Sequence, residues 1–176
     1  MSNEPLLFYS GLGEPLFSNF APAKVVYNGQ TYQTSEHAYQ AAKFITDNPS
    51  PAHIEYANQI TRASTPNKAR ILAQQKIRTG YKWYVPLNEQ IKASLNSGVR
   101  IRSDWNDVRV DIMREIVRAK FTQNKNCRDA LLKTGMRPLI EHTPRDSFWA
   151  DGGNGSGKNM LGHILEEIRA ELRLEK

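Results

Sequence analysis

A glycine-rich segment, residues 146–159, holds residue types that could bind an anion and a flat ring. Its sequence is DSFWADGGNGSGKN. Glycine lets backbone amides approach an anion closely, and a helix predicted just after the segment adds the positive end of its dipole. The segment is therefore predicted to bind phosphate, with Trp149 covering a sugar or base. The predicted phosphate ligands are the amides of Gly152, Gly153, Gly155 and Gly157 and the side chain of Lys158.

Two other interpretations of this segment were weighed. Gly152 to Lys158 fits the glycine, four residues, glycine, lysine part of a nucleotide P-loop. Asn159 stands where a P-loop needs a hydroxyl for magnesium, and no buried apolar strand precedes the segment, so an ATPase or GTPase is disfavoured. A flexible linker is the other alternative, but it has no use for two adjacent aromatic residues.

A second group of reactive side chains lies on a helix predicted from about Ser35 to Ile45. Glu36 and Lys43 are seven residues apart, which places them on nearly the same face with about 10 Å of rise between them. Gln40 shares that face. The spacing is too long for a local helix salt bridge, so both charges can converge on a substrate. Spacing alone favours a structural alternative, in which Glu36 complements the helix dipole and Lys43 is solvated.

Composition indicates a globular protein with anionic ligands. A chain of 176 residues fits one domain. The net charge of +6 and the pI near 9.5 favour anionic partners. The charges are interspersed without a basic run of five, so a phosphate-bearing substrate is at least as well supported as a nucleic-acid groove. Ordinary solvated helix faces are the alternative for most of these charges.

Cysteine and hydropathy patterns predict where the protein works. Cys127 is the only cysteine, which indicates the cytoplasm or another reducing compartment. The chain shows neither a signal-peptide pattern nor an apolar run of the roughly twenty residues that span a bilayer. No membrane association is expected. The oligomeric state is left open.

Local patterns predict an α+β fold, mostly helical, with a small sheet near the N-terminus. A strand is predicted at Leu6–Tyr9, and a hairpin at Val25–Tyr32 around an Asn-Gly turn. Pro138–His142 is predicted to be extended. The predicted helices begin near Ser35, Pro51, Pro66 (ending at Gly80), Pro86 (ending at Asn96, before Gly98), Ser103 as a cap, Asn126 (ending at Lys133) and Asn159 (ending at Leu174).

Five separated motifs together resemble the NADAR family. They are SNFA at 18–21, TSEHxxQAxKF at 34–44, DW at 104–105, AKF at 119–121 and EHTxxDxxWxDGGxGxGKNxLG at 141–162. The likeness extends from about Phe8 to Leu172. Two departures stand out: Ala150 replaces the usual glycine after the tryptophan, and the segment from about Ala73 to Arg100 is longer than in the family's bacterial N-glycosidase type, so the rim of the pocket is expected to differ.

The resemblance implies a YbiA-like α+β domain that hydrolyses the N-glycosidic bond of a phosphorylated ribose. Two substrate classes are associated with the family: ribosylamino-pyrimidine phosphates of riboflavin synthesis, and ADP-ribose linked to guanine in DNA or RNA. No cofactor and no metal are implied. The histidines agree, because His37, His53, His142 and His163 show no zinc-ligand spacing.

The resemblance also assigns roles. Glu36 acts as general base or stabilises an oxocarbenium-like state, and Asp146 orients the ribose or shuttles a proton. Lys43 in its neutral form can attack the opened ribose and form a Schiff base. The remaining predicted ligands are Trp105 and Trp149 stacking on the base, Asn19 bonding a hydroxyl, and Gln40.

Each of these ligands has a structural alternative. Trp105 can belong to the core, Asn19 can close a turn, and Lys158 can simply begin a helix. Two further functions stay open besides hydrolysis. One is a non-catalytic ADP-ribose reader, and the other is a nucleic-acid-binding module that uses the positive surface.

Overall fold

The structure is a computed structural model that describes residues 4–9 and 12–174. In this part of the chain, seven α-helices surround two small two-stranded sheets, which confirms the α+β prediction. The helices are α1 (Ser35–Ala42), α2 (Pro51–Thr61), α3 (Pro66–Ala73), α4 (Tyr84–Asn96), α5 (Trp105–Gln123), α6 (Lys125–Lys133) and α7 (Met160–Leu174). The strands are β1 (Leu6–Phe8), β2 (Val25–Tyr27), β3 (Gln30–Tyr32) and β4 (Leu139–Glu141), and Pro15–Phe17 forms a 3-10 turn.

Three predicted helix starts are confirmed by their caps. The hydroxyls of Thr34, Ser50 and Thr65 each accept a hydrogen bond from the backbone amide three residues further on. Proline follows directly after Ser50 and Thr65, where its fixed φ suits the first helical position. Local sequence therefore sets the start of the helix that carries Glu36.

Several predicted helix boundaries are wrong. Helix α3 ends at Ala73 rather than at Gly80, because Gln75 already has a positive φ of 49°. Helix α5 begins at Trp105, and Asp104, not Ser103, precedes it without a side-chain cap. Helix α1 also ends at Ala42, three residues earlier than predicted, but Lys43 keeps helical backbone angles and stays in phase with Glu36.

The predicted hairpin is confirmed, whereas the idea of one early sheet is wrong. Asn28 and Gly29 both have positive φ, as a two-residue hairpin turn requires. Strand β1 pairs in parallel with β4, more than 130 residues away, and not with the hairpin. Such a long-range parallel pairing depends on tertiary packing that local patterns do not encode. It holds β4, whose Leu139 is buried in the core, a few residues before the glycine-rich segment.

Asn159 fastens the C-terminal end of the glycine-rich segment to β4. Its side chain donates to the carbonyl of Leu139 at 2.8 Å and accepts from the amide of Glu141 at 2.9 Å. Gly162 permits this contact, because a Cβ there would lie 2.0 Å from the Leu139 oxygen. Asn159 therefore has a structural job in the position where a P-loop carries its magnesium ligand.

Helix α1 lies at the centre of the fold. It packs against α2, α3 and α5, and all eight of its residues are buried, including Glu36 and Gln40. Polar side chains are buried when they have partners or a functional reason to be there. The helix that was singled out for chemistry is therefore also a core element.

Lys120 is a second buried charge, in the interior of α5. Its side chain is fully buried, and its ammonium donates to the carbonyl of Ser18 at 2.8 Å. Burial lowers the pKa of Lys120 to about 8. The next carbonyl, that of Asn19, accepts the amide of Glu36 at 3.0 Å. Lys120 thus connects α5 to the turn that holds the start of α1.

This pKa predicts a pH-dependent difference in stability between the protein and Lys120→Met. The pKa is about 8 when folded and about 10.5 when unfolded, so the folded state binds fewer protons between these values and gains stability as pH rises. Relative to the methionine variant, the free energy of unfolding is expected to rise by up to about 3 kcal/mol across that window. Urea denaturation at both ends of the window measures it. Parallel changes in the two proteins would contradict the assignment.

Candidate active site

The buried face of α1 places a carboxylate and an amine in one electrostatic environment. Glu36 accepts a hydrogen bond from the Gln40 amide at 2.8 Å. Burial raises the pKa of Glu36, and the hydrogen bond from Gln40 and the charge of Lys43 oppose that rise. Burial lowers the pKa of Lys43 to about 8, against the attraction of Glu36. At neutral pH a fraction of Lys43 is therefore uncharged.

Three aromatic rings pack together beside Lys43. The Lys43 ammonium lies 5.7 Å from the ring centroid of Tyr39 and 5.6 Å from that of Trp105. Tyr39 packs at 5.0 Å against Trp105 and at 5.6 Å, edge to face, against Trp149. The structure thus brings the amino-terminal helix and the glycine-rich segment together at one site. Trp105 also packs against the core, which agrees in part with the alternative that it is a core residue.

Asp146 shapes the turn that presents Trp149. Its Oδ1 accepts the backbone amides of Phe148 and Trp149, both at 2.8 Å. Its charge also acts on Glu36, whose pKa it raises. One carboxylate oxygen is therefore occupied by backbone, and the other is left for the ribose or proton role predicted from the sequence.

These contacts predict different results for two Asp146 variants. Asp146→Asn keeps an oxygen acceptor for both amides, while Asp146→Ala removes it. The alanine variant is expected to lose about 1–3 kcal/mol of stability and to bind ligand poorly, because two amides lose their partner. The asparagine variant is expected to keep the fold and to lose turnover only if the charge is needed. Chemical denaturation and initial rates separate the two roles, and equal destabilisation by both substitutions would refute the structural one.

Most amides of the glycine loop are engaged within the segment. The amides of three of the four glycines predicted to bind phosphate, and the amide of Lys158, already donate there in this conformation, and phosphate binding by the loop stays a prediction. The donating amides belong to Gly152, Gly153, Gly157 and Lys158, and their acceptors are the Asp146 carbonyl, the Asp151 side chain, the Asp151 carbonyl and the Ser147 carbonyl, in that order.

Close packing explains two of these glycines instead. A Cβ at Gly153 would lie 2.9 Å from Pro144, and one at Gly157 would lie 2.4 Å from the carbonyl oxygen of Ala150. Gly155 is exposed at the tip of the loop with a φ of 82°. The glycines therefore allow the segment to fold tightly, and this tight fold sets the position of Trp149.

Arginine and lysine side chains supply the positive charge that the loop amides do not. The Arg109 guanidinium lies 3.8 Å from the Phe148 ring centroid, and the Lys158 ammonium lies 5.4 Å from it. The Nε of Arg109 is buried without a hydrogen-bond partner in the described part of the chain. Arg70 and Arg109 both lower the pKa of Lys43 by their charge. An anionic ligand has three cations available here.

Two buried oxygens near Glu36 are free to accept hydrogen bonds. They are Oδ1 of Asn19 and Oε1 of Gln40, for which the described residues provide no donor. The Asn19 amide nitrogen lies 3.4 Å from the sulfur of Met113, and its carbonyl holds the start of α1. Asn19 closes a turn, which was the structural alternative for this residue. It also presents an acceptor suited to a ribose hydroxyl.

Sequence reasoning missed four residues at the site. They are Tyr39, Arg70, Arg109 and Glu141. Tyr39 lies four residues before Lys43 and Arg109 four after Trp105, so helical spacing could have found both. Glu141 opens the last motif, and burial, with the charges of Asp146 and Glu36, raises its pKa to about 8. Arg70 carried no local signal.

Other features lie outside this site. A cavity of about 220 Å³ between the hairpin and α2, and another of about 490 Å³ beside α6, contain neither Glu36 nor Lys43. Within residues 4–9 and 12–174, no group of three or more His, Cys, Asp or Glu side chains is placed to hold a metal ion. None of the helices described is long and apolar enough to cross a membrane.

Comparison with known proteins decides the family. The model of the NADAR domain matches residues 7–173. The chain belongs to the NADAR family. Among its relatives, the N-glycosidase YbiA of Shigella flexneri serotype 5b (strain 8401) is 36% identical over 160 residues, which cover 91% of this chain and 82% of that protein.

A solved structure and a longer relative extend the comparison. The NMR structure of E. coli YbiA matches with a TM-score of 0.72 and 34% identity, over 99% of this chain and 88% of that one. A riboflavin biosynthesis protein of Vibrio vulnificus (strain YJ016) is 34% identical over 171 residues, 97% of this chain but only 39% of that protein. These relatives confirm the NADAR resemblance, the YbiA-like fold and the predicted enzyme class, a hydrolase of N-glycosyl compounds.

Proposed function

We propose that this NADAR protein hydrolyses the anomeric C–N bond of a phosphorylated ribose conjugate. The observation that carries the proposal is the electrostatic coupling of buried Glu36 with Lys43, each of which shifts the pKa of the other. The Lys43 ammonium also lies within 6 Å of the ring centroids of Tyr39 and Trp105, at 5.7 Å and 5.6 Å. A sugar carbon held between the carboxylate and the amine would meet a base and a nucleophile at once. Trp149 would cover the departing base.

In the Schiff-base route, Lys43 forms a covalent imine with C1 of the ribose. In the ring-opened conjugate, C1 of the ribose is doubly bonded to the glycosidic nitrogen. Neutral Lys43 adds its Nζ to C1, both Nζ protons pass in turn to the glycosidic nitrogen, and the C1–N bond breaks to release the base as an amine and leave a Lys43–C1 imine. Water then adds to this imine, Glu36 relays both water protons in turn to Nζ, and the C1–Nζ bond breaks as C1 becomes the aldehyde and Lys43 returns to the neutral amine.

The raised pKa of Glu36 and the lowered pKa of Lys43 support this division of roles. A carboxylate whose pKa is raised by burial is a stronger base toward the proton of water, and an amine with a pKa of about 8 is partly neutral at pH 7. A direct displacement by water, with Glu36 stabilising the positive C1, is the other route that uses the same residues.

Charge at the site supports a phosphorylated substrate. Arg70 and Arg109 contribute positive charge beside Lys43, Lys158 lies over the Phe148 ring next to Trp149, and guanidinium groups bind phosphate well. Two substrate classes fit: ribosylamino-pyrimidine phosphates, in keeping with the name of the Vibrio relative, and ADP-ribose linked to guanine in nucleic acid, in keeping with the net charge of +6.

A direct comparison of cleavage rates tests the proposal. The protein is incubated separately with a ribosylamino-pyrimidine phosphate and with an oligonucleotide carrying ADP-ribosyl-guanine, and release of the free base and sugar phosphate is followed by chromatography. Turnover of at least one is expected, and the faster one identifies the substrate class. Release from neither, with the protein folded, would overturn the proposal.

A non-catalytic reader of ADP-ribose is the alternative. Its support is the group of rings formed by Tyr39, Trp105 and Trp149 with cations nearby, which would bind an intact conjugate equally well. Calorimetric titration would then show tight binding without product, and Glu36→Gln would leave the affinity unchanged.

A further inference from the structure

The net positive charge of the chain is confined to one stretch. Residues 56–88 contain six cations and no Asp or Glu, so the other 143 residues carry 18 Lys and Arg against 18 Asp and Glu. The six are Arg62, Lys68, Arg70, Lys76, Arg78 and Lys82. The composition had suggested evenly interspersed charges, but the excess of positive charge lies in this one stretch. None of the six forms a salt bridge within residues 4–9 and 12–174.

The same stretch exposes large aromatic rings. Tyr81 is 66% exposed and Trp83 is 39% exposed. Their rings are close to parallel, at 26° with centroids 6.4 Å apart, and the Tyr84 ring lies 4.0 Å from that of Trp83. Lys76 and Lys82 are exposed beside them in sequence. A protein does not gain stability from rings left in water, so an exposed aromatic cluster of this kind indicates a binding surface.

Local contacts fix this surface relative to the fold. The Arg78 amide donates to the side chain of Asn88 at 3.0 Å, and the Asn88 amide donates back to the Arg78 carbonyl at 2.6 Å. These bonds tie the segment between α3 and α4 to α4 itself. Helix α3, which packs on α1 and places Arg70 near Glu36 and Lys43, leads directly into it.

We propose that residues 76–84 form a binding surface for single-stranded nucleic acid, with bases stacking on Tyr81 and Trp83 and phosphates contacting Lys76, Arg78 and Lys82. Single-strand binders combine stacking rings with a cationic track along the backbone, and this segment has both. A folded duplex hides its base faces, so it offers these rings no stacking partner. The proposal does not depend on the proposed hydrolysis.

Binding of unmodified oligonucleotides tests this surface. The probe is a fluorescein-labelled single strand of about twenty nucleotides, as DNA and as RNA, followed by fluorescence anisotropy at several salt concentrations. The variants are Trp83→Ala and the pair Lys76→Glu with Lys82→Glu. The matched control is Lys24→Glu with Lys133→Glu, two exposed lysines outside the stretch, which changes the net charge equally.

Each surface variant is expected to weaken binding at least about tenfold, and the control less than about threefold. Affinity should fall steeply with salt. Hydrolysis of a small ribosylamino phosphate should be unchanged in all variants, so a failure of this surface leaves the proposed function intact. Equal loss in the control pair, duplex binding as tight as single-strand binding, or stronger capture by anionic lipid vesicles would each overturn the proposal.

Discussion

Glu36→Gln is expected to reduce turnover by at least about a hundredfold while ligand affinity changes only a few-fold. Glutamine keeps the shape of the side chain and can still bond to Gln40, so the helix should remain packed. It cannot accept the proton of the attacking water. Initial rates and calorimetric titration on the same preparation measure the two effects separately.

Helix α2 provides a matched control for Glu36. Glu55 accepts a hydrogen bond from Gln59 at 3.5 Å, with the same four-residue spacing as Glu36 and Gln40, but Glu55 is exposed. Glu55→Gln is expected to leave both rate and affinity unchanged. If Glu36→Gln behaves as Glu55→Gln does, the carboxylate has no part in the reaction and the reader hypothesis gains.

Lys43→Met is expected to abolish turnover, and borohydride added during turnover is expected to leave a stable adduct on Lys43. Reduction converts the Lys43–C1 imine into a secondary amine that mass spectrometry locates by peptide mapping. Lys24→Met is the control, since that lysine is exposed and outside the site. Full activity in Lys43→Met, with no adduct in the unaltered protein, would discard the Schiff base in favour of direct attack by water.

The pH dependence of the rate distinguishes the two states of Lys43. The pKa of about 8 means that the neutral amine increases as pH rises through that value. A nucleophilic Lys43 therefore predicts a rate that rises with an inflection near pH 8. A Lys43 that acts only through its positive charge predicts the opposite slope. Because the charge of Glu36 raises this pKa, Glu36→Gln should move the titration of Lys43 to lower pH, which the pH dependence of its acylation by an amine reagent would show.

Local chemistry made several features predictable. The caps at Thr34, Ser50 and Thr65 and the Asn-Gly turn are determined by neighbouring residues, so sequence identified them. The Glu36 and Lys43 pair was ambiguous from spacing alone and gained weight from the motif around it. The parallel pairing of β1 with β4 had no local signal, because its partners meet only when the helices between them are packed.

The glycine-rich segment shows why a motif alone does not fix a physical role. Glycine is compatible with anion binding and with tight backbone packing, and the sequence does not say which one applies. In the structure, the amides of Gly152 and Gly157 donate to backbone carbonyls, and a side chain at Gly157 would collide with Ala150. Arg70 and Arg109, distant in sequence, supply the charge instead. The net charge likewise pointed to anions but did not reveal its concentration in residues 56–88.

The complete burial of α1 has a consequence for how this protein can change. Any substitution in α1 must fit tight packing on several sides. The reactive side chains of this helix are therefore hard to change one at a time. New substrates would have to be accommodated from the rim, through the exposed side chains of Asn154 and Ser156 in the loop and through the linker after α3, where side chains can vary without disturbing the interior. Divergence among relatives with different substrates should therefore concentrate at those outer positions while the innermost helix stays nearly constant.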